Sequence, residues 1–170
     1  MLMNSVTSGS LFTDLIDVTF TIEAEPVAKG RPRARVFNGR VHLYTPPKTK
    51  YFEQRVHRAA ERVPLPQIGV PLRVDIVAIC KRPKRLCRKK DPNSLIYRPS
   101  KPDGDNVRKA ILDGLSNFFD DKQVVSGETV CLYAEKDRDI GRCVIRITTK
   151  LETEEEILTR LDLLSASEYQ

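Results

Sequence analysis

The chain has 170 residues, with 29 Lys or Arg against 23 Asp or Glu, a net charge of +6, and 40% hydrophobic residues. That length fits one domain, and the apolar share alongside 31% charged residues excludes wholesale disorder. No apolar run approaches the roughly 20 residues of a membrane span, and four cysteines without a CxxC pair beside only two histidines speak against a zinc site and suit a reducing cytoplasm.

In chain order, residues 1–15 read as a flexible leader: MLMNSVTSGSLFTDL lacks a basic segment followed by a long apolar one, so no secretory signal is expected. Ile16, Val18, Phe20 and Ile22 alternate with polar residues, the period of a half-buried strand. Asn38-Gly39 between Val36-Phe37 and Val41 predicts a type I′ turn, hence a small basic hairpin. Thr45 and Pro46-Pro47 open a helix whose apolar face holds Phe52, Val56, Ala59 or Ala60, and Val63, and which Pro64 and Pro66 end. Leu72, Val74, Ile76 and Ala78 begin a second long strand. Seven of the ten residues 81–90 are basic, which reads as a charged mobile loop.

The stretch KPDGDNVRKAILDGLSNFFDDKQVV, Lys101 to Val125, then gathers Asp103, Asp105, Asp113, Asp120 and Asp121. Asp103 or Asp105 can cap a helix with Val107, Ile111, Leu115 and Phe118 as its buried stripe. Two further strands, Thr129 to Glu135 and Arg142 to Thr148, turn at Gly141. Thr153 and Glu156 make a capping box ahead of Ile157, Leu158, Leu161 and Leu164, so an acidic amphipathic helix over 151–170 is expected to pack on a domain of residues 16–150; docking a partner is the alternative. Residues 151–170 carry six acidic side chains against Arg160, a net of −5, which leaves +11 on residues 1–150. A body so basic points to nucleic acid, with plain solubility as the bland alternative.

Why a basic chain should collect carboxylates has two answers. Asp105, Lys109 and Asp113 are successive i, i+4 neighbours and can be ordinary helix ion pairs, with Asp120-Asp121 a plain turn. Alternatively, carboxylates drawn together repel until a hard divalent cation with oxygen ligands joins them. Asp121 would have to return to the Asp103 end through a folded-back loop. Phosphodiester hydrolysis needs such a positive centre, so an acidic pocket in a basic chain suits a metal-dependent nuclease. An EF-hand begun at Asp103 would need Gly and Glu where Arg108 and Gly114 stand, no GxxxxGK[ST] loop supports a nucleotide cofactor, and neither His42 nor His57 has a partner for a nucleophilic triad.

Asp103-Gly104-Asp105-Asn106, Lys109, Leu112-Asp113-Gly114-Leu115 and Asp120-Asp121-Lys122-Gln123-Val124 together resemble the signature of the RusA family of Holliday junction resolvases, and KGRPRAR and TPPKTKYFEQ resemble its longer, phage-type members. The likeness covers roughly residues 16–149. It implies a small α+β fold, a mixed β-sheet packed with helices, as a homodimer. It further implies Mg2+ (Mn2+ as alternative) held by Asp103, Asp105 and Asp121, Lys109 beside the scissile phosphate, and a four-way DNA junction as substrate in a bacterial or phage-infected host cytoplasm. Gly104 stands where the family often has a larger apolar residue. Lys29, Arg31, Arg33, Arg35, Arg40, Lys48, Lys50, Lys81, Arg82, Lys84 and Arg85 are the candidate phosphate contacts, and Phe37 or Tyr44 a candidate wedge at the junction centre. The competing function is a non-catalytic architectural protein that binds branched DNA.

Overall fold

The computed structural model describes residues 15–65 and 69–161. It has the expected α+β architecture: a mixed sheet with two of its helices on one face and a separate two-stranded hairpin. The leader, Pro66 and the end of the C-terminal helix fall outside the described residues, and no described helix is long and apolar enough to cross a membrane.

Strand β1 (Asp17–Ile22) lies antiparallel to β8 (Arg142–Thr148), and β8 lies antiparallel to the central β4 (Leu72–Cys80). On its other edge β4 receives two parallel partners in succession, β6 (Val124–Ser126) beside Leu72 and Arg73, then β7 (Thr129–Tyr133) beside Ile76 to Cys80. The two-residue β5 (Ile96–Tyr97) closes that edge. Between β6 and β7 the chain steps outward at Gly127, whose φ is +124° and whose missing Cβ would overlap the Val74 carbonyl; Ile76 N then donates to Glu128 O at 2.9 Å. Only glycine fits such a left-handed residue against another strand's backbone.

One face of this sheet is aliphatic because alternate residues of each strand share it. Leu72, Val74 and Ile76 of β4, with Cys143, Ile145 and Ile147 of β8, are at most 1% exposed. Onto them pack α1 (Pro47–Ala60) and α2 (Gly104–Leu115). The buried residues of α1 are Thr49, Phe52, Val56 and Ala60; those of α2 include Val107, Ile111 and Leu115, the predicted stripe. Each buried Ile or Leu contributes about 1.5–3 kcal/mol. The stripe stops short of Phe118, since the helix ends at Leu115. Phe119 takes the core position instead, and the Phe118 ring stacks on His57 at 4.9 Å.

The two helices run side by side in the same direction: Lys29 N, at the entry to α1, donates to Asn106 O in the first turn of α2, while Gly114 near the end of α2 lies against Val56. Both start at the Cys80 end of β4 and descend toward its Leu72 end. From the same upper end projects the hairpin of β2 (Arg33–Phe37) and β3 (Arg40–Tyr44), turned by Asn38 (φ 49°) and Gly39 (φ 70°) as the Asn-Gly pair requires. The capping box of Thr153 and Glu156 starts α3 (Glu154–Arg160); Glu152 ahead of it pairs with Arg73 and Arg160, each at 2.9 Å.

Residues 81–90 are less loose than their charge suggests. Lys84–Leu86 form a single 3-10 turn, and Arg82, only 3% exposed, folds inward. Its Nε donates to Ala134 O at 2.7 Å, Nη1 to Pro92 O at 2.6 Å, and Nη2 to Ser94 O. A guanidinium has five donors in a fixed fork and is the side chain that can satisfy three carbonyls at once. Arg82 is therefore corrected from phosphate contact to structural clamp. Arg82→Met should cost about 2–4 kcal/mol in urea unfolding, because three carbonyls lose their donor. The exposed Arg85, replaced the same way, should stay within about 0.5 kcal/mol of wild type and weaken DNA binding instead.

Candidate active site

The turn leading into α2 is held by side chains that sequence patterning did not single out. Arg98, 5% exposed, donates through Nη2 to Pro102 O at 2.6 Å and through Nη1 to Ser100 O, while its backbone N donates to Cys131 O at 3.0 Å. Ser100 Oγ and the Tyr133 hydroxyl share a hydrogen bond of 2.7 Å. The Lys101–Pro102 peptide is cis. This turn delivers Asp103 as the residue before α2, extended at φ −69° and ψ 144°, and Gly104 as its first residue, where an added Cβ would lie 3.2 Å from Cys131 Sγ. The absence of a larger side chain at 104 thus lets the helix start sit directly on β7.

Asp103 makes no side-chain cap, and Asp105 projects from the first turn of the helix. Both carboxylates are exposed. Among the described residues neither has a hydrogen bond or an ion pair, and the exposed ammonium of Lys109 has none either. The i, i+4 ladder of Asp105, Lys109 and Asp113 therefore does not close. Lys29 instead takes Asp113, together with Glu53 at 2.7 Å. Burial lowers the Lys29 pKa and these two carboxylates more than offset it, so the net displacement is upward. Lys29 is thus a clamp between the hairpin stem, α1 and α2, and its charge is already neutralised.

The second acidic pair stands at the other end of α2. Asp120 is a structural cap: its Oδ1 accepts from Lys122 N at 3.1 Å, and its own N donates to Gln123 Oε1 at 3.0 Å. The Lys122 amide holds the Asp120 carboxyl below the usual range. Gln123 Nε2 reaches Val70 O at 2.8 Å, which ties this turn to the start of β4. Asp121 opens the short 3-10 turn that follows and is exposed.

Two independent rulers place Asp121 far from Asp103. The twelve-residue helix between them is about 18 Å long. Gly104 sits against Thr129 and Cys131, paired with Ile76 and Ala78, whereas Val124, just after Asp121, pairs with Leu72; four to six residues of strand cover about 13–20 Å. Among the described residues, accordingly, no three His, Cys, Asp or Glu side chains come together as a metal site within one chain. The expectation of a loop that folds back is corrected. After α2 the chain enters a strand parallel to β4 at that strand's beginning, which keeps Asp121 at the lower end.

The basic side chains do collect, and they collect at the upper end with Asp103 and Asp105. Gly30 N donates to Thr49 Oγ1 at 3.3 Å, so the hairpin stem and the first turn of α1 lie together. Arg31, Arg33, Arg35, Arg40, Lys48 and Lys50 are all exposed there. Lys81, Lys84 and Arg85 follow the last residue of β4 at the same end and are exposed too, with Lys81 in a 3.2 Å pair with Asp139. On the sheet two arginines are committed: Arg146 grips Asp17 in a two-pronged pair, and Arg142 does the same to Glu135, whose carboxyl it holds down at about 2. The upper end thus combines exposed, unneutralised cations with two unpartnered carboxylates.

A family model described as Endodeoxyribonuclease RusA matches residues 23–148, from the end of β1 to the end of β8. The Bacillus subtilis (strain 168) protein YqaN, an uncharacterized protein, is 36% identical over 129 residues, covering 71% of this chain and 91% of its own length.

Proposed function

Because the chain belongs to the RusA endodeoxyribonuclease family, we propose that it is a Mg2+-dependent endonuclease that resolves four-way DNA junctions by paired symmetric nicks. The observation that carries this reading is the pair of exposed, unpartnered carboxylates, Asp103 and Asp105, at an end of the molecule where exposed cations gather. Two like charges left together without a counter-charge favour a cation. An all-oxygen donor set fits Mg2+, and Mn2+ accepts the same ligands.

Asp121 is the third carboxylate of the site, and a second copy of the chain supplies it. The length of α2 bars it from reaching Asp103 in its own chain, whereas a two-fold pairing that sets the lower end of one copy against the upper end of the other makes two identical composite sites. Two sites related by a two-fold axis match a junction that needs two symmetric cuts. A bound Mg2+ lowers the pKa of water and neutralises charge at phosphorus. Asp103, Asp105 and the second copy's Asp121 would hold it. Lys109, one turn along α2 with its ammonium free, stabilises negative charge on the scissile phosphate. Arg31, Lys48, Lys50, Lys84 and Arg85 hold the flanking strands through phosphate, so affinity falls steeply as salt rises. A host-cell cytoplasm, bacterial or phage-infected, is the setting this chemistry suits.

The separation of Asp121 within one chain favours a second reading, a non-catalytic protein that clamps branched DNA. A cleavage assay divides the two. Incubated with a synthetic four-way junction and with linear duplex of the same sequence, the nuclease nicks only the junction, needs added Mg2+, and stops in EDTA. Tight junction binding with no Mg2+-dependent nicking selects the clamp.

A further inference from the structure

The hairpin has two chemically different faces. In its register Arg33 faces Tyr44, Arg35 faces His42 and Phe37 faces Arg40, so these six side chains share one side. On that side the Arg35 guanidinium lies 5.4 Å from the Phe37 ring centroid, and the Phe37 and His42 rings meet edge-on at 6.4 Å. The other side pairs Ala34 with Leu43 and Val36 with Val41 and carries nothing polar. Val36 is 70% exposed, Val41 67% and Leu43 73%, and all ten residues of the two strands are exposed.

A two-stranded hairpin alone is marginal in water, and a purely aliphatic face on a strongly charged surface has no reason to stay wet. Phosphate and bases can cover the basic, aromatic side; they are poor partners for valine and leucine. We infer that the aliphatic face of the hairpin docks on a second copy of this chain, in the open hollow that Gly69, Pro71 and Val125 line beside Asp120 and Lys122. This rests on the composite site proposed above. That pairing brings the second copy's lower end, where Asp121 stands, to the upper end from which the hairpin projects. Val125, 59% exposed, and Pro71 give the hollow an apolar floor that matches the hairpin's aliphatic side. Two-fold symmetry makes the contact twice, and each hairpin then lies as a strap over the seam, with aliphatic side chains on the protein and basic ones on the DNA.

The test follows self-association of the full chain by sedimentation. Val36→Ser/Val41→Ser/Leu43→Ser should weaken the dimer by roughly tenfold or more, since three apolar side chains lose their burial. All three are exposed in the single chain, so its fold is not at risk. Arg35→Ser/Arg40→Ser on the opposite side should leave the dimer unchanged and weaken junction binding. A second arm mixes Val41→Cys chains with Val125→Cys chains and adds a short bismaleimide. A cross-linked band that needs both variants supports the contact, and its absence from a dimeric mixture overturns it. A serine variant that dimerises like wild type and merely binds DNA less well also overturns it, for then nucleic acid covers this face. These readouts are independent of the composite site. An intact dimer in the serine variant, with shared catalysis between chains, ends the strap alone; a dissociated serine variant, with no shared catalysis in dimers that keep the native hairpin, ends the composite site alone.

Discussion

Asp105→Asn should lower Mg2+-dependent cleavage of a four-way junction by about 10²–10³-fold or more, while junction affinity in Ca2+ or EDTA stays within a few-fold of wild type. The asparagine keeps the size of the side chain and removes the charge that holds the cation. Stability should not suffer, because Asp105 is exposed and has no partner among the described residues. Affinity should rise slightly if it changes at all, since one negative charge leaves a phosphate-binding surface. Asp121→Asn should act alike, although it stands about a helix length from Asp105 in the same chain. Asp120→Asn should behave differently. That carboxylate caps the turn through Lys122 N, and asparagine keeps the same acceptor oxygen and caps as well as aspartate, so this variant should keep both its cleavage and its stability close to wild type. Single-turnover cleavage beside binding titrations checks all three.

Gly127→Ala should be the most damaging single substitution outside the site, costing about 3 kcal/mol or more in chemical unfolding. Two penalties coincide there. A residue with a side chain is strained at φ +124°, and the new methyl would have to occupy the Val74 carbonyl. That carbonyl also accepts from Arg108 Nη1 at 2.8 Å, so the clash reaches the guanidinium that ties α2 to the step between β6 and β7. Burial pushes the Arg108 pKa down, and the nearby Asp75 offsets part of this. A substitution at residue 127 therefore disturbs the seating of α2 as well as the sheet. Gly39→Ala should be milder, because φ is also positive there but nothing crowds the added carbon.

Much of this architecture is legible in the residue pattern. Period-two alternation marks β1, β4, β7 and β8, Asn38-Gly39 fixes the hairpin, and spacing by four marks the buried side of α2. The sequence does not reveal where a charge goes. Lys29 and Arg82 look like members of one basic set with Arg31 and Arg85, yet two neighbouring carboxylates claim the first and three backbone carbonyls the second. Those partners lie up to 84 residues away, beyond any local period. Arg98 escapes notice for the same reason: its role depends on a two-residue strand and on a turn whose carbonyls converge only when folded. The candidate site is legible as a set of residue types but not as a shape. The composition of residues 103–121 points to oxygen ligation; the length and direction of α2 decide that one chain holds only part of the set.

Shared catalysis between two disabled chains tests the central claim most directly. Asp105→Asn and Asp121→Asn chains, each inactive when expressed alone, are co-expressed with distinct tags and the mixed dimer is purified. One of its two sites then combines Asp103 and Asp105 of one chain with Asp121 of the other, all intact. Mg2+-dependent nicking should return in that dimer at about half the wild-type number of sites, as single nicks rather than paired cuts. A purified mixed dimer that binds the junction and still cannot nick it would contradict a site built across two copies.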